Sequence, residues 1–292
     1  MLYVILAILS STSIFVLFKV FDKFFVNYFH AILINYFVAG LLGLLLFSQF
    51  AEIKKTYTSY WILWIIIIGI LYFLNFLLIQ KSTVKIGMAT TSIACKVSVV
   101  IPVIFSIIYD KEFLSVFKIL GIFGAVLSII LLTLKNNDQK EKNELSWFIV
   151  ILPIILFLGL GVSDSMLKYV QQVYAFDLKT TSLTAFIFSV SFFTALLWSF
   201  FKKDFIKNIL KLKTIIAGLL LGLFNFGSTY FLFMSLKYSK LDHSLVFGII
   251  NLSIILLSVF IGYSVYKEKL SKLNLIGVFT ALSSLILMNL NE

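Results

Sequence analysis

An all-α integral membrane protein, with ten transmembrane helices arranged as two inverted five-helix repeats, is the fold class that three features of this sequence predict. The first is composition. Of 292 residues, 61% are hydrophobic and 13% charged, whereas a water-soluble domain needs about a quarter of its residues charged to clothe its surface. The second is that apolar residues continue for membrane length without alternating, which suits helices and excludes a transmembrane barrel. The third is an internal repeat, set out below.

Ten runs approach the ~20 residues that span hydrocarbon. Residues 2–21 open the chain; no basic segment precedes them and no small-residue cleavage site follows, so they read as a retained first helix and not as a secretory signal. Residues 27–48 and 60–80 come next, parted by a connector with Lys54 and Lys55. The fourth run, 86–108, contains Cys95, Lys96 and Pro102, and the fifth, 114–134, follows Lys111-Glu112. The most polar connector, KNNDQKEKNE from Lys135 to Glu144, falls almost at the chain's midpoint. It divides a first repeat, 1–134, from a second, 147–292, with 135–146 as the joining loop. The second repeat supplies 147–167, 181–201, 213–236, 244–264 and 271–290. No remaining stretch is long enough for a soluble domain.

The repeat is clearest in the fifth and tenth helices. KEFLSVFKILGIFGAVLSIILL, from Lys111, aligns without gaps to KEKLSKLNLIGVFTALSSLILM, from Lys267. Ten of the 22 positions are identical, among them Lys111/Lys267, Glu112/Glu268, Ser115/Ser271, Gly121/Gly277 and Ser128/Ser284. Apolar composition inflates matches of Leu and Ile but not of Lys-Glu, Ser and Gly. A weaker echo links Lys19 to Lys168. Five helices is an odd number, so the second copy enters the bilayer from the opposite face, the inverted-repeat plan common among transporters.

These residues resemble an EamA-type repeat of the drug/metabolite transporter superfamily. The features are Leu236-Lys237-Tyr238 closing the eighth helix, Lys267-Glu268 opening the tenth, and Gly277; the first half keeps Lys111-Glu112, Gly121 and the fourth-helix proline Pro102. The resemblance covers nearly the whole chain. It implies a central cavity bounded by helices one, three, four, six, eight and nine, cytoplasmic termini, and transport of small solutes. The family moves amino acids, drugs, sugars and nucleotide derivatives, so it does not specify the substrate.

Charge is consistent with this and adds one tension. The net charge of +11 comes from 24 lysines and no arginine. They cluster at helix ends and in loops, where anionic headgroups and orientation signals account for them; no soluble basic face suggests nucleic acid. With helix ends included, fifteen lysines fall in loops after odd-numbered helices and eight after even-numbered ones. The positive-inside rule then places both termini outside, against the family topology. The lysine left over is Lys96.

Lys96 lies near the middle of the fourth helix, where an ammonium costs ~2.5–3.5 kcal/mol on insertion scales. Its depth makes snorkelling to water difficult, so it should face the bundle interior or a wet cavity. Ala89, Ser92, Val100 and Val103 share its helix face. It either binds an anionic group of the solute or is a structural lysine held by carbonyls or a carboxylate. Aligning Lys96-Val97-Ser98 with Asn251-Leu252-Ser253 puts Asn251 at the pseudo-symmetric position of helix nine, with Ser244, Phe247 and Ser258 on its face. The resemblance also makes Asn75 (FLNF) and Asn225 (LFNF), with Tyr72 and Tyr230 nearby, candidates for the cavity wall; helix–helix hydrogen bonding is the alternative for each Asn and for Asn35.

Asp164 and Lys168, at i and i+4 near the end of helix six, could pair on one face, as a structural ion pair or a coupling site. His243 and Asp242 stand where helix nine begins, a capping position. Gly218 and Gly222 form one G-x-x-x-G, which suits close helix packing. The single cysteine rules out a disulfide framework, and no metal-ligand cluster or cofactor motif is present. Nor is there an H-E-x-x-H, G-x-x-x-x-G-K-[ST] or G-x-S-x-G signature.

The function expected is secondary, alternating-access transport of a small organic solute, anionic or zwitterionic, such as an amino acid. The protein would be multi-pass in the inner or plasma membrane, a monomer or homodimer whose partners are the solute and the lipid bilayer. A membrane enzyme acting on lipid, or a non-transporting assembly subunit, is the rival reading.

Overall fold

Inside hydrocarbon every backbone N–H and C=O must find a partner within the chain, so the apolar runs become helices. The computed structural model describes residues 1–47, 61–109, 111, 114–133, 147–174, 180–201, 209–239, 241 and 243–289. The connector 135–146, Glu112 and Asp242 lie outside these residues, as does the side chain of Ser244. The first half contains α1 (Leu2–Lys23), α2 (Tyr28–Phe47), α3 (Ile62–Lys85), α4 in two halves (Met88–Val97 and Val100–Tyr109) and α5 (Val116–Thr133). The second contains α6 (Trp147–Val173), α7 (Thr180–Ser199), α8 (Leu212–Tyr238), α9 (His243–Ser264) and α10 (Lys272–Asn289). With α4 taken as one span, ten helices among the described residues are long and apolar enough to cross a bilayer.

The packing obeys a pseudo-two-fold relation that exchanges the halves. α1 lies on α8 as α6 lies on α3; α2 packs on α8 as α7 packs on α3; α1 meets α9 as α6 meets α4. α2 with α7, and α5 with α10, pack across the axis itself. Identical repeat residues meet in this last pair. A Cβ on Gly121 would lie against Ser284 and Met288, and one on Gly277 against Ser128 and Leu132. Low numbers on α5 face high numbers on α10, so the two helices run antiparallel, as inverted topology requires. Lys111 (φ 53°) and Lys267 (φ 54°) adopt the same left-handed backbone at the entrance to these helices, an unusual conformation for lysine that recurs at matched positions. Close approach also serves α8 and α2, where Gly218 faces Ile34 and Gly222 faces Val38. The G-x-x-x-G is therefore used inside the chain, where small residues let helix backbones touch.

One element departs from expectation. The fourth run reads as a continuous helix over 86–108, but its hydrogen-bond ladder is interrupted at Ser98 and Val99, although Ser98 keeps helical angles (φ −56°, ψ −18°). Pro102 is the cause, because it lacks an N–H and its ring crowds the carbonyl four residues earlier, that of Ser98. Ser98 O instead accepts from Ile101 N at 3.0 Å, and the Ser98 hydroxyl donates to Cys95 O at 2.7 Å. Lys96 consequently stands in the last turn of a half-helix ending within the membrane.

Candidate functional site

The break in α4 defines the site. A half-helix C-terminus carries partial negative charge, and a cation in its last turn is favoured there. Discontinuous helices of this kind form the midplane sites of many transporters. Lys96 is half-buried, and its ammonium forms no hydrogen bond or ion pair with the described residues. It lies instead within electrostatic reach of Asp164 on α6, whose charge also acts on Cys95 and Tyr72. Helices α3, α4 and α6 thus bring together an amine, a carboxylate and a phenol that sequence separation hides. The Tyr72 backbone carbonyl accepts the Tyr36 hydroxyl at 2.9 Å, which ties this part of α3 to α2.

This arrangement corrects the expected Asp164–Lys168 pair. No ion pair or hydrogen bond joins the two side chains. Lys168 Nζ donates to Ser106 Oγ on the second half of α4, while Asp164 is coupled to Lys96. Lys168 reaches across to α4 through Ser106, so adjacency on one helix face does not decide the pairing.

The two matched asparagines differ. Asn75 Nδ2 donates to Gly159 O at 3.1 Å and to Ser163 Oγ at 2.9 Å, fastening α3 to α6. Its amide donors are committed to helix–helix packing, the second of the two readings held open for it. Asn225, its counterpart on α8, is buried with its amide nitrogen unpartnered. On α9 Asn251 is buried and forms no side-chain hydrogen bond among the described residues; Ser258 is fully buried with its hydroxyl unpartnered. Ser92 is fully buried and donates to Ala89 O at 2.9 Å, so its hydroxyl stays within α4. Tyr230 stacks on Phe226 with centroids 5.8 Å apart. Asn35 is fully buried in α2 with neither amide atom partnered.

A groove of about 440 Å³ opens between α3, the second half of α4 and α6. Trp64, Phe105, Tyr109 and Tyr169 give it an aromatic wall, and Ile101 and Ser165 border the α4 break and Asp164 respectively. The rings interlock, Trp64 with Tyr169 at 5.1 Å and Tyr109 with Tyr169 at 5.5 Å between centroids. The groove lies toward the C-terminal end of α4.

The opposite end of α4 is closed by a residue that sequence reading treats only as a repeat marker. Glu268, in the segment joining α9 to α10, accepts from Met88 N at 2.7 Å and Ala89 N at 3.3 Å and pairs with Lys19 Nζ at 2.8 Å. The Tyr266 hydroxyl donates to Val16 O at 3.4 Å, and burial together with the nearby Glu268 charge raises its pKa. A signal for this existed. α4 begins Gly87-Met88 with no Ser, Thr, Asp or Asn in capping position, so its first N–H groups need an acceptor from elsewhere.

A model of the EamA-like transporter family matches residues 1–134 and 140–290. A Haemophilus influenzae protein, itself uncharacterized, is 27% identical over 213 residues, covering 72% of this chain and 69% of the relative.

Proposed function

Because the chain belongs to the EamA-like transporter family, whose members are membrane transporters of small molecules, we propose that it carries a small organic zwitterion, such as an amino acid, across the cell membrane. Transport is secondary and proceeds by alternating access, the two repeats rocking about the break in α4. Lys96 receives the solute's carboxylate and Asp164 its ammonium, with Asn251 and Asn225 offering hydrogen bonds from the pseudo-symmetric wall and Tyr72 and Tyr230 flanking.

The observation that carries this reading is that the Lys96 ammonium, in the last turn of a half-helix ending inside the membrane, forms no ion pair with Asp164 or any other described residue. A purely structural pair would gain most by closing, since attraction in a low-dielectric interior rises steeply at short range. Charges held apart leave room for a solute to be inserted between them. At an effective dielectric of ~20, a contact at ~4 Å contributes about 4 kcal/mol before desolvation, so loss of one contact should be plainly measurable.

The test is uptake into liposomes containing purified protein, screened with amino acids and with simple carboxylates. Lys96→Ala should fold and lose uptake, and Lys96→Arg should lose it too, because guanidinium differs in shape and hydration. Asp164→Asn should lose zwitterions before it loses plain anions. Wild-type uptake by Lys96→Ala would refute the assignment.

A further inference from the structure

We propose that Glu268 is the latch that closes the transport path at the membrane face where α4 begins, and that the path opens to that face only when the latch breaks. The inference rests on the transport reading above.

One carboxylate here joins three elements. It neutralises Lys19 at the end of α1, takes the two leading N–H groups of α4, and is itself carried by the segment that leaves α9. These three helices are among the six expected to ring the cavity. The carboxylate also has a prepared seat. Gly87 has φ +124°, and a Cβ there would stand 2.9 Å from Glu268 Oε2; a Cβ on Gly262 would stand 2.7 Å from the same atom. Any side chain at either position would push the carboxylate out. Both partners are mostly withdrawn from water, with side-chain exposures of 16% for Lys19 and 12% for Glu268. Separating them leaves an ammonium, a carboxylate and a helix N-terminus that only water can satisfy. Water reaches them when the mouth opens, so the latch has two stable arrangements, closed and hydrated, with little advantage in between.

The inverted repeat gives the latch residues counterparts in the other half of the chain. Lys168, which echoes Lys19, sits at the corresponding end of α6 and reaches Ser106 on α4. Glu112 is the sequence image of Glu268. The aromatic groove lies at that second end. Among the described residues the two ends of α4 therefore differ: a carboxylate bridges three elements at its start, and an aromatic groove borders its end.

Cys95, the chain's single cysteine, is a built-in reporter, lying within α4 between the latch and the break. Its alkylation by a membrane-impermeant maleimide is measured in vesicles of both orientations, so that each face is probed separately. Glu268→Gln and Lys19→Met should raise labelling from the latch face roughly tenfold and lower it from the opposite face. That is the shift expected when a two-state equilibrium loses one charge-assisted hydrogen bond from its closed form. Should Cys95 react slowly, Val16→Cys in a Cys95→Ser background, beside the latch, reads the same opening. Rates that rise from both faces indicate a loosened fold, and rates that do not change indicate a mere helix cap; either result overturns the latch. Labelling requires no solute, so reciprocal labelling in a protein that moves none of the amino acids or carboxylates tested would overturn the proposed solute and leave the latch standing.

Discussion

The contact between α5 and α10 allows a sharp comparison, because the same residue occurs at the same repeat position in two unequal spaces. A methyl added at Gly121 would lie 2.4 Å from Met288 Cγ, which can swing away, but also 3.0 Å from Ser284 O and 3.2 Å from Met288 N, which are backbone. At Gly277 it would lie 3.2 Å from Leu132 Cγ, 3.3 Å from Leu131 Cβ and 3.3 Å from Ser128 O, contacts relieved by a few tenths of an ångström. Gly121→Ala must therefore spread the helices. Overpacking of this kind costs ~1–3 kcal/mol. It also stretches the bond from Ser284 Oγ to Gly121 O, now 2.5 Å, and such interhelical bonds contribute ~0.6–1.7 kcal/mol. Alanine's helix preference over glycine returns ~1 kcal/mol in either variant. Gly121→Ala should then destabilise by about 1–3 kcal/mol, and Gly277→Ala should be neutral to within about 1 kcal/mol. Unfolding of purified protein in mixed micelles by a denaturing detergent, followed by tryptophan fluorescence, measures both. The reasoning fails if Gly277→Ala is as damaging as Gly121→Ala, or if Gly121→Ala is stabilising.

Asn75→Ala should lower stability by about 1–3 kcal/mol through loss of two interhelical bonds, whereas Asn225→Ala, whose amide nitrogen has no partner, should change it by less than ~0.5 kcal/mol while impairing uptake. A double-mutant cycle on Asp164→Asn and Lys168→Met should return a coupling under ~0.3 kcal/mol, and the cycle with Lys96→Met a larger one. The opposite ranking would restore the intrahelical pair. Pro102→Ala returns an N–H to α4 and should straighten it, raising the melting temperature while slowing uptake; a stabilised variant with full uptake would show that the break has no part in transport.

Much of the architecture is readable along the chain. Crossing hydrocarbon requires ~20 apolar residues in a row, and inversion follows from an odd number of helices per copy, so both are properties of sequence order alone. Lys96 could be singled out for the same reason, since the cost of a mid-membrane ammonium does not depend on its neighbours. Pro102 is visible too, and its effect on Ser98 is local chemistry that a reading of the run as one helix overlooks.

Partners are another matter. Asp164 has Lys168 one turn away yet is coupled to Lys96 on another helix, and Asn75 and Asn225 share one motif yet only Asn75 finds Gly159 and Ser163 across the interface. Glu268 closes on Lys19 and on the start of α4, both from the other half of the chain. Local spacing fixes which face of a helix a side chain occupies. Which group lies opposite depends on how helices distant in sequence are packed, and the charges and hydrogen bonds of the site follow that packing because their energies fall away within a few ångströms.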